Sequence, residues 1–391
     1  MNARPLAARP SRAATTPNAS GTPQTGTRVT NTPSTTRRWF LATAALGLLA
    51  AGCGAEAEPE AGPEAEPGTP LWSLARGPAT CPAVPVGDLL LVGRSPGALH
   101  AVAADTGEER WQVETGTGPS RPVVLDGTVV TGLRGGGLLG VDQATGEERW
   151  SLPTGEWGVV GGPVAAGGLA VVGGLDGVVR AVDAATGEER WAVGEPGAGR
   201  QYFADPVVAE GTLYLGDSRG TLHALDAATG EERWAVETDG TTVSTAAVTA
   251  EAVCVGTSRG ALHALDPATG EERWAASVSG AVVNPVAAGD LLLVPDSRGK
   301  RLRALDVADG AQRWEATSAV EVLPVAVADD AVYFPAEPGV LVCAALADGA
   351  TRWECALGGF DAPGDTLLAL AATPGLVVAG TDLAAAVAVR G

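Results

Sequence analysis

The sequence predicts an all-β protein, a closed ring of eight small four-stranded antiparallel sheets, and three observations carry that expectation. The phrase ALDAATGEERW stands complete at 224–234, near copies end at Trp111, Trp150, Trp191 and Trp274, and weaker ones end at Trp314 and Trp353. The intervals between these tryptophans are 39, 41, 43, 40, 40 and 39 residues, a period that marks a repeat array. At the two ends, Gly380 to Arg390 repeats the spacing of Gly216 to Asp226 without the strand that should follow. Leu71-Trp72-Ser73-Leu74 is a tryptophan strand with no turn phrase before it, 39 residues ahead of Trp111. Paired with each other, these pieces complete an eighth sheet and remove two exposed edges.

Each unit reads as four strands. In the unit ending at Trp234, Asp205-Pro206-Val207-Val208 opens the innermost strand and Gly211 turns into a second, Thr212 to Leu215. Ser218-Arg219-Gly220 turns again, Leu222 to Asp226 is the third strand, and Trp234 begins the fourth. The alternation of apolar and polar residues in these runs is the period of a half-buried strand. Between the last two strands, Asp226 can accept from its own following backbone, and Gly230 supplies the positive φ that closes the turn. A large ring recurring once per unit reads as packing between neighbouring sheets, since burying an indole removes roughly 150–250 Å² from water. Repeat folds grow by adding units, so the chain of 391 residues is expected to hold one large domain rather than two.

The first 52 residues read as a leader. Residues 1–36 are rich in Pro, Thr, Ala and Arg and contain no acid, a composition that cannot build a core. Arg37-Arg38-Trp39-Phe40-Leu41 resembles the twin-arginine export motif. The apolar run 39–51 is shorter than the ~20 residues a membrane-spanning helix needs. It ends in Leu49-Ala50-Ala51-Gly52-Cys53, which resembles a bacterial lipobox with Cys53 as the lipidated residue; Ala50 departs from the usual leucine. Residues 53–70, with Glu56, Glu58, Glu60, Glu64 and Glu66 among Ala and Pro, read as a solvated tether, and residues 71–391 as the folded ring. Removing the leader leaves 20 basic against 46 acidic residues, a net charge of −26. Such a field argues against nucleic acid or anionic lipid as partners. The expectation is a monomer at the outer face of the cytoplasmic membrane, touching the membrane only through its lipid anchor.

The phrase Ala-x-Asp-x-x-Thr-Gly-x-x-x-Trp resembles the tryptophan-docking motif of the PQQ-like, quinoprotein-type β-propeller repeats, over residues 71–391. The resemblance implies an eight-bladed β-propeller around a channel. Some members of that class are quinone-dependent dehydrogenases; others are non-enzymatic lipoproteins, including a subunit of the machinery that assembles outer-membrane β-barrels. The dehydrogenases hold their quinone with an adjacent cysteine pair, a calcium ion and a catalytic Asp. Here no two of the five cysteines are adjacent, and no acidic run has calcium-ligand spacing. His100, His223 and His263 occupy one repeated place in the third strand, where Arg180 and Arg303 stand in other units, so they read as packing residues. No nucleophile with a base beside it is visible. The expectation is therefore a binding protein with no catalytic residues, no metal and no cofactor, PQQ included. The alternatives are a quinone-dependent oxidoreductase or its accessory subunit, and an envelope assembly factor. Cys343 and Cys355 flank Gly349 symmetrically and are candidates for a disulfide if the register is unbroken, which a bulge in the turn would prevent, whereas Cys81 and Cys254 are expected to be free and buried.

In an up-and-down blade, the first and third turns share one face, here lined by the Glu-Glu-Arg turns. The second turns, with Arg94, Arg134, Arg219, Arg259 and Arg298, share the other face with the inter-blade loops. Two of those loops, 191–206 and 353–370, are long, and a third carries Trp157, outside the repeat register. Aromatic residues and arginines on irregular loops over a rigid scaffold suit a binding surface. Candidate binding residues for a protein, peptide or glycan are therefore Arg121, Asp205, Thr245 and Asn284, which open inner strands, and Trp157, Arg200, Tyr202 and Phe360 on the loops. Arg200, Tyr202 and Trp157 are expected to be exposed and to add little to stability.

Overall fold

The computed structural model describes residues 66–75, 77–153, 158–240, 243–282, 284–296, 298–357, 367–381 and 384–391. Arg37, Arg38, Cys53, Trp157 and Phe360 lie outside the described residues. Among the described residues, thirty-two strands form eight four-stranded sheets, every neighbouring pair antiparallel, and these are the eight blades of a β-propeller. Numbered in chain order, blades 1 to 7 occupy 84–114, 123–152, 164–193, 207–237, 247–277, 286–317 and 326–356, and blade 4 shows the plan: Val207–Ala209, Thr212–Gly216, Thr221–Asp226 and Glu232–Glu237, in that order from the innermost strand outward. The core lies between blades. Leu91, Leu99 and Trp111 of blade 1, for instance, pack on Val129, Leu139 and Val141 of blade 2, and an equivalent apolar layer fills each of the other seams.

The repeated phrase makes these seams. Each indole lies against the turn glycine of the next blade, so close that a Cβ on Gly107 would stand 2.6 Å from the Trp72 ring and one on Gly146 2.8 Å from the Trp111 ring. The same glycines have φ of +70° and +74°, a region other residues avoid. Six indole N–H groups donate to a carbonyl three residues before that glycine: Trp72 to Ala104, Trp111 to Gln143 and Trp150 to Ala184 at 2.9 Å, Trp234 to Pro267 at 3.0 Å, and Trp274 to Val307 and Trp314 to Leu346 at 2.8 Å, whereas Trp191 Nε1 is buried without a partner among the described residues.

The ring closes as the spacing predicts. Blade 8 consists of Leu367–Thr373, Leu376–Thr381, Ala384–Arg390 and, outermost, Pro70–Ala75. Trp72 stands opposite Ala388 as Trp234 stands opposite Ala224. The turn phrase missing from the sequence is rebuilt from both ends of the chain. Gly68 N donates to Arg390 O and Arg390 N to Thr69 O, both at 2.9 Å; in blade 4 Gly230 N donates to Asp226 O at 2.8 Å and Asp226 N to Glu231 O at 2.7 Å. A Cβ on Gly68 would lie 3.2 Å from the Trp353 ring. Residues 66–69, which read as tether in the sequence, thus act as the eighth turn.

One irregularity recurs in blades 1 to 7. Ala224 pairs with Trp234 but Leu225 with Glu232, so Arg233 is the extra residue of a bulge, and the other six blades repeat this shift. The bulged arginine turns back onto the turn aspartate: Arg233 Nη2 donates to Asp226 Oδ2 at 2.7 Å, while Oδ1 accepts from Ala228 N and Thr229 N, both at 3.0 Å. The arginine first, and then these backbone donors, hold the Asp226 carboxyl below the usual carboxylate range. At Asp142 the same arrangement with Arg149 lowers it to about 2. The bulge also removes the candidate disulfide. It moves the register so that Cys343 faces Trp353 and Cys355 faces Leu341, and both cysteines are free and buried. Cys81 and Cys254 are also free and buried, and burial pushes their thiols up to about 11 and about 12.

Candidate binding face and channel mouth

In blades 2, 4 and 5 the residue two places before the inner strand lies on the face of the inter-blade loops. Arg121 of blade 2 and Asp205 of blade 4 meet there across blade 3, with Arg121 Nε 3.0 Å from Asp205 Oδ2. The Nε hydrogen is not aligned to donate, so charge rather than a directed hydrogen bond holds the pair. Blade 3 permits the crossing because it offers only Gly161 and Gly162. A Cβ on either would come within 2.7 Å of a carbonyl oxygen, of Ala204 and Arg121 respectively. Gly162 N donates to Asp205 Oδ1 at 2.6 Å, and Asp205 N donates to Thr245 Oγ1 of blade 5 at 3.2 Å. The structure thus brings together three of the four inner-strand residues expected to bind; Asn284 stands apart, exposed, at φ +47°. Beside Arg121 a cavity of about 510 Å³ opens along the inner strands, walled by Pro85, Val86, Val124, Pro163 and Val164.

The loop between blades 3 and 4 departs from expectation. Tyr202 is only 4% exposed and packs with Leu213 and Leu215 in the seam between those blades. It fills a notch over Gly173, where a Cβ would come 2.5 Å from its own; Val159 does the same over Gly132, Val243 over Gly216 and Val282 over Gly256. Tyr202 is therefore the largest of a series of packing plugs, not an exposed binding residue. Arg200 is half-exposed and tied down: its Nε lies 2.9 Å from Oδ2 of Asp217, whose side chain is fully buried. Asp217 Oδ1 accepts from Arg219 N at 2.9 Å and Thr221 N at 2.8 Å, and His223 Nε2 lies 3.4 Å from Oδ2. Burial acts to raise this carboxyl's pKa, but the His223 contact and the backbone donors outweigh it and hold the group below the usual range. The Arg219 guanidinium reaches the carbonyls of Ala198 and Gly199, Ser218 N donates to Gln201 O at 2.9 Å, and Gln201 N donates to Ser218 Oγ at 3.1 Å.

What this clamped loop leaves outside is Phe203, 44% exposed, between the buried Tyr202 and the ion-paired Asp205. Sequence reasoning missed it as a site residue. The available signal was two adjacent aromatics in a loop that has no others, of which one faces inward. The arginines of the second turns give a further contrast. Arg94, Arg134, Arg259 and Arg298 form no ion pair among the described residues, whereas Arg149, Arg190, Arg233, Arg273, Arg313 and Arg352 of the opposite face all do.

The histidines belong to the scaffold. His100, His223 and His263 each place Nδ1 on the glutamate two residues before their blade's tryptophan, at 2.7, 3.0 and 2.7 Å, joining the third strand to the fourth. Arg180 lies against Asp176 and Glu189 at the same place in blade 3. Among the described residues, no three His, Cys, Asp or Glu side chains are grouped so as to hold a metal ion. Cys81 and Cys254 lie by blades 1 and 5. This donor set does not fit a quinone held by a cysteine pair and a calcium ion.

The family model described as outer membrane protein assembly factor BamB matches residues 63–176, 175–255 and 243–391. Among solved structures, the computationally designed Ika8 protein is similar at 16% identity and a TM-score of 0.73, over 83% of this chain and 100% of that one. BamB from Moraxella catarrhalis is similar at 18% identity and 0.68, over 83% and 99%. The quinohemoprotein alcohol dehydrogenase ADHIIG from Pseudomonas putida HK5 is similar at 15% and 0.64, over 79% and 71%. At such identities the likeness carries the fold alone. A search of curated proteins finds no match. With eight tryptophan-docked blades and a family match running from residue 63 to residue 391, the chain belongs to the PQQ-type β-propeller family described as outer membrane protein assembly factor BamB.

Proposed function

We propose that this propeller is a non-enzymatic scaffold of the cell envelope that captures a protein partner on its inter-blade loop face. The observation that carries the reading is Phe203, held 44% exposed by a loop whose neighbours on both sides are fixed. An aromatic side chain presented without loss of loop freedom is the usual anchor of an interface, and arginine its usual companion. Arg134 and Arg259, without ion pairs among the described residues, supply that companion on the same face, while the arginines of the opposite face are already engaged by nearby carboxylates. The similarity to BamB supports a protein partner over a glycan. The absence of an adjacent cysteine pair from the sequence, and the scattered donor set, support a function without quinone or metal. The leader supports export by the twin-arginine route and a lipid anchor at Cys53, which would keep the propeller at the outer face of the cytoplasmic membrane.

The test is recovery of partners from the native envelope by the parent protein, by Phe203→Ala combined with Arg134→Ala and Arg259→Ala, and by a variant with Glu147, Glu188 and Glu271 of the opposite face changed to Lys. Loss of a specific protein only with the first variant is expected. Loss only with the charge-reversed variant would place the function on the other face. Stoichiometric uptake of PQQ with calcium, read by absorbance, would replace this reading with the oxidoreductase one.

A further inference from the structure

We propose that the ring-closing strand Pro70–Ala75 pairs with the same strand of a second copy, so that the protein forms a weak antiparallel dimer through blade 8. This strand is the outermost of its blade. Its inner side pairs with Ala384–Arg390, and no described strand lies on its other side. Seven other strands hold the equivalent outer position, and every one carries charge: Glu109 and Arg110 in blade 1, Glu148 and Arg149 in blade 2, and so on to Arg313 and Glu315 in blade 6 and Arg352 and Glu354 in blade 7. Charged side chains on a free edge discourage another strand from adding to it. Pro70–Ala75 reads PLWSLA and has none. Leu71 on it is 39% exposed, one of four large apolar side chains so exposed among the described residues.

The occupant that fits is a second copy. The edge has no charge with which to select a charged strand, and among the eight outermost strands described the one that matches it in lacking charge is its own duplicate. Antiparallel pairing centred on Ser73 sets Trp72 opposite Leu74 of the copy and Ser73 opposite Ser73, so no like charges meet and the apolar residues face one another. The contact is isologous, so it closes at two subunits. One short strand buries less than the ~1,200–2,000 Å² of a standard stable interface, so the dimer forms only at high concentration. This revises the monomer expected from sequence, and it is independent of the loop-face reading, which concerns another surface.

Sedimentation equilibrium tests it on the full chain carrying Cys53→Ala, which accepts no acyl group. Over about three decades of concentration, the mass should rise from one subunit toward two. Ser73→Lys, at an exposed position of the free edge, should weaken the association at least about ten-fold. Ala235→Lys, at the exposed equivalent in blade 4, should leave it unchanged. Ser73→Cys should give a covalent dimer under mild oxidation well beyond any formed by Ala235→Cys. A parent that stays monomeric throughout, a loss of association equal in both lysine variants, or equal cross-linking of both cysteine variants would overturn the proposal.

Discussion

Replacing Tyr202 and Phe203 separately by alanine tests whether a single loop divides its labour between packing and recognition. The two are chain neighbours, so general loosening of the loop would affect both variants alike. Tyr202 is 4% exposed and wedged between Gly173 and Leu215. Its truncation leaves a cavity in the seam between blades 3 and 4, and large aromatic-to-alanine changes at such sites cost about 3–5 kcal/mol. For a folded region of this size, 1 kcal/mol shifts the melting temperature by about 2 °C, so Tyr202→Ala should melt ~6–10 °C lower. Phe203 is 44% exposed and lies outside the apolar seam, so Phe203→Ala should stay within ~1 °C of the parent. Calorimetry provides the first measurement and partner recovery the second. The expected pattern is a large drop in melting temperature with Tyr202→Ala and a loss of partner without such a drop with Phe203→Ala. Equal melting shifts in the two variants, or a Tyr202→Ala protein as stable as the parent, would refute the division.

Acid should weaken the propeller. The carboxyls of Asp217, Asp296, Asp142, Asp226, Asp266 and Asp306 all lie below their ordinary 3.8 in the folded state. Their contribution is therefore fully present above the unfolded value and lost as pH falls through the folded ones, so melting temperature should hold near neutrality and decline from about pH 4 toward 2. Gly107→Ala should destabilise more than Gly68→Ala, because the new Cβ meets the facing indole at 2.6 Å in the first case and 3.2 Å in the second; thermal melts of both variants decide it. Replacing Arg37 and Arg38 together by Lys should leave precursor in the cytoplasm, and Cys53→Ala should release an exported, unanchored protein, both read by membrane fractionation.

The blade count, strand order and closing role of Trp72 were all legible because each follows from a spacing, and the spacing of a repeat is preserved by the packing it serves. The Cys343–Cys355 bridge was left open by residue counting, which cannot tell whether the turn carries a bulge, and the arginine that makes the bulge looks in the sequence like one more surface charge. Gly68 escaped notice because its turn is assembled from two distant ends, leaving no continuous phrase to match. Tyr202 was misplaced because the plugs differ in identity, valine in three seams and tyrosine in one. The regular part of that device is the small residue it covers, Gly132, Gly173, Gly216 or Gly256. At the channel mouth, the four polar residues could be placed on one face by register, but the Arg121–Asp205 crossing could not, since it depends on the two glycines beneath it.

The turn rebuilt around Gly68 also bears on where the chain could be cut. Arg390 and Gly68 are joined there by the same two backbone hydrogen bonds that join Asp226 to Gly230 and Glu231 within a continuous chain. A direct bond from Gly391 to Glu66 would leave three residues, Gly391, Glu66 and Pro67, between Arg390 and Gly68, the number that separates Asp226 from Gly230. The ring is in that sense indifferent to its own starting point. A circular permutant sealed at this junction and reopened between the exposed Ala144 and Thr145 should fold to the same eight blades, with blade 2 taking over the role of the seam stitched from two termini.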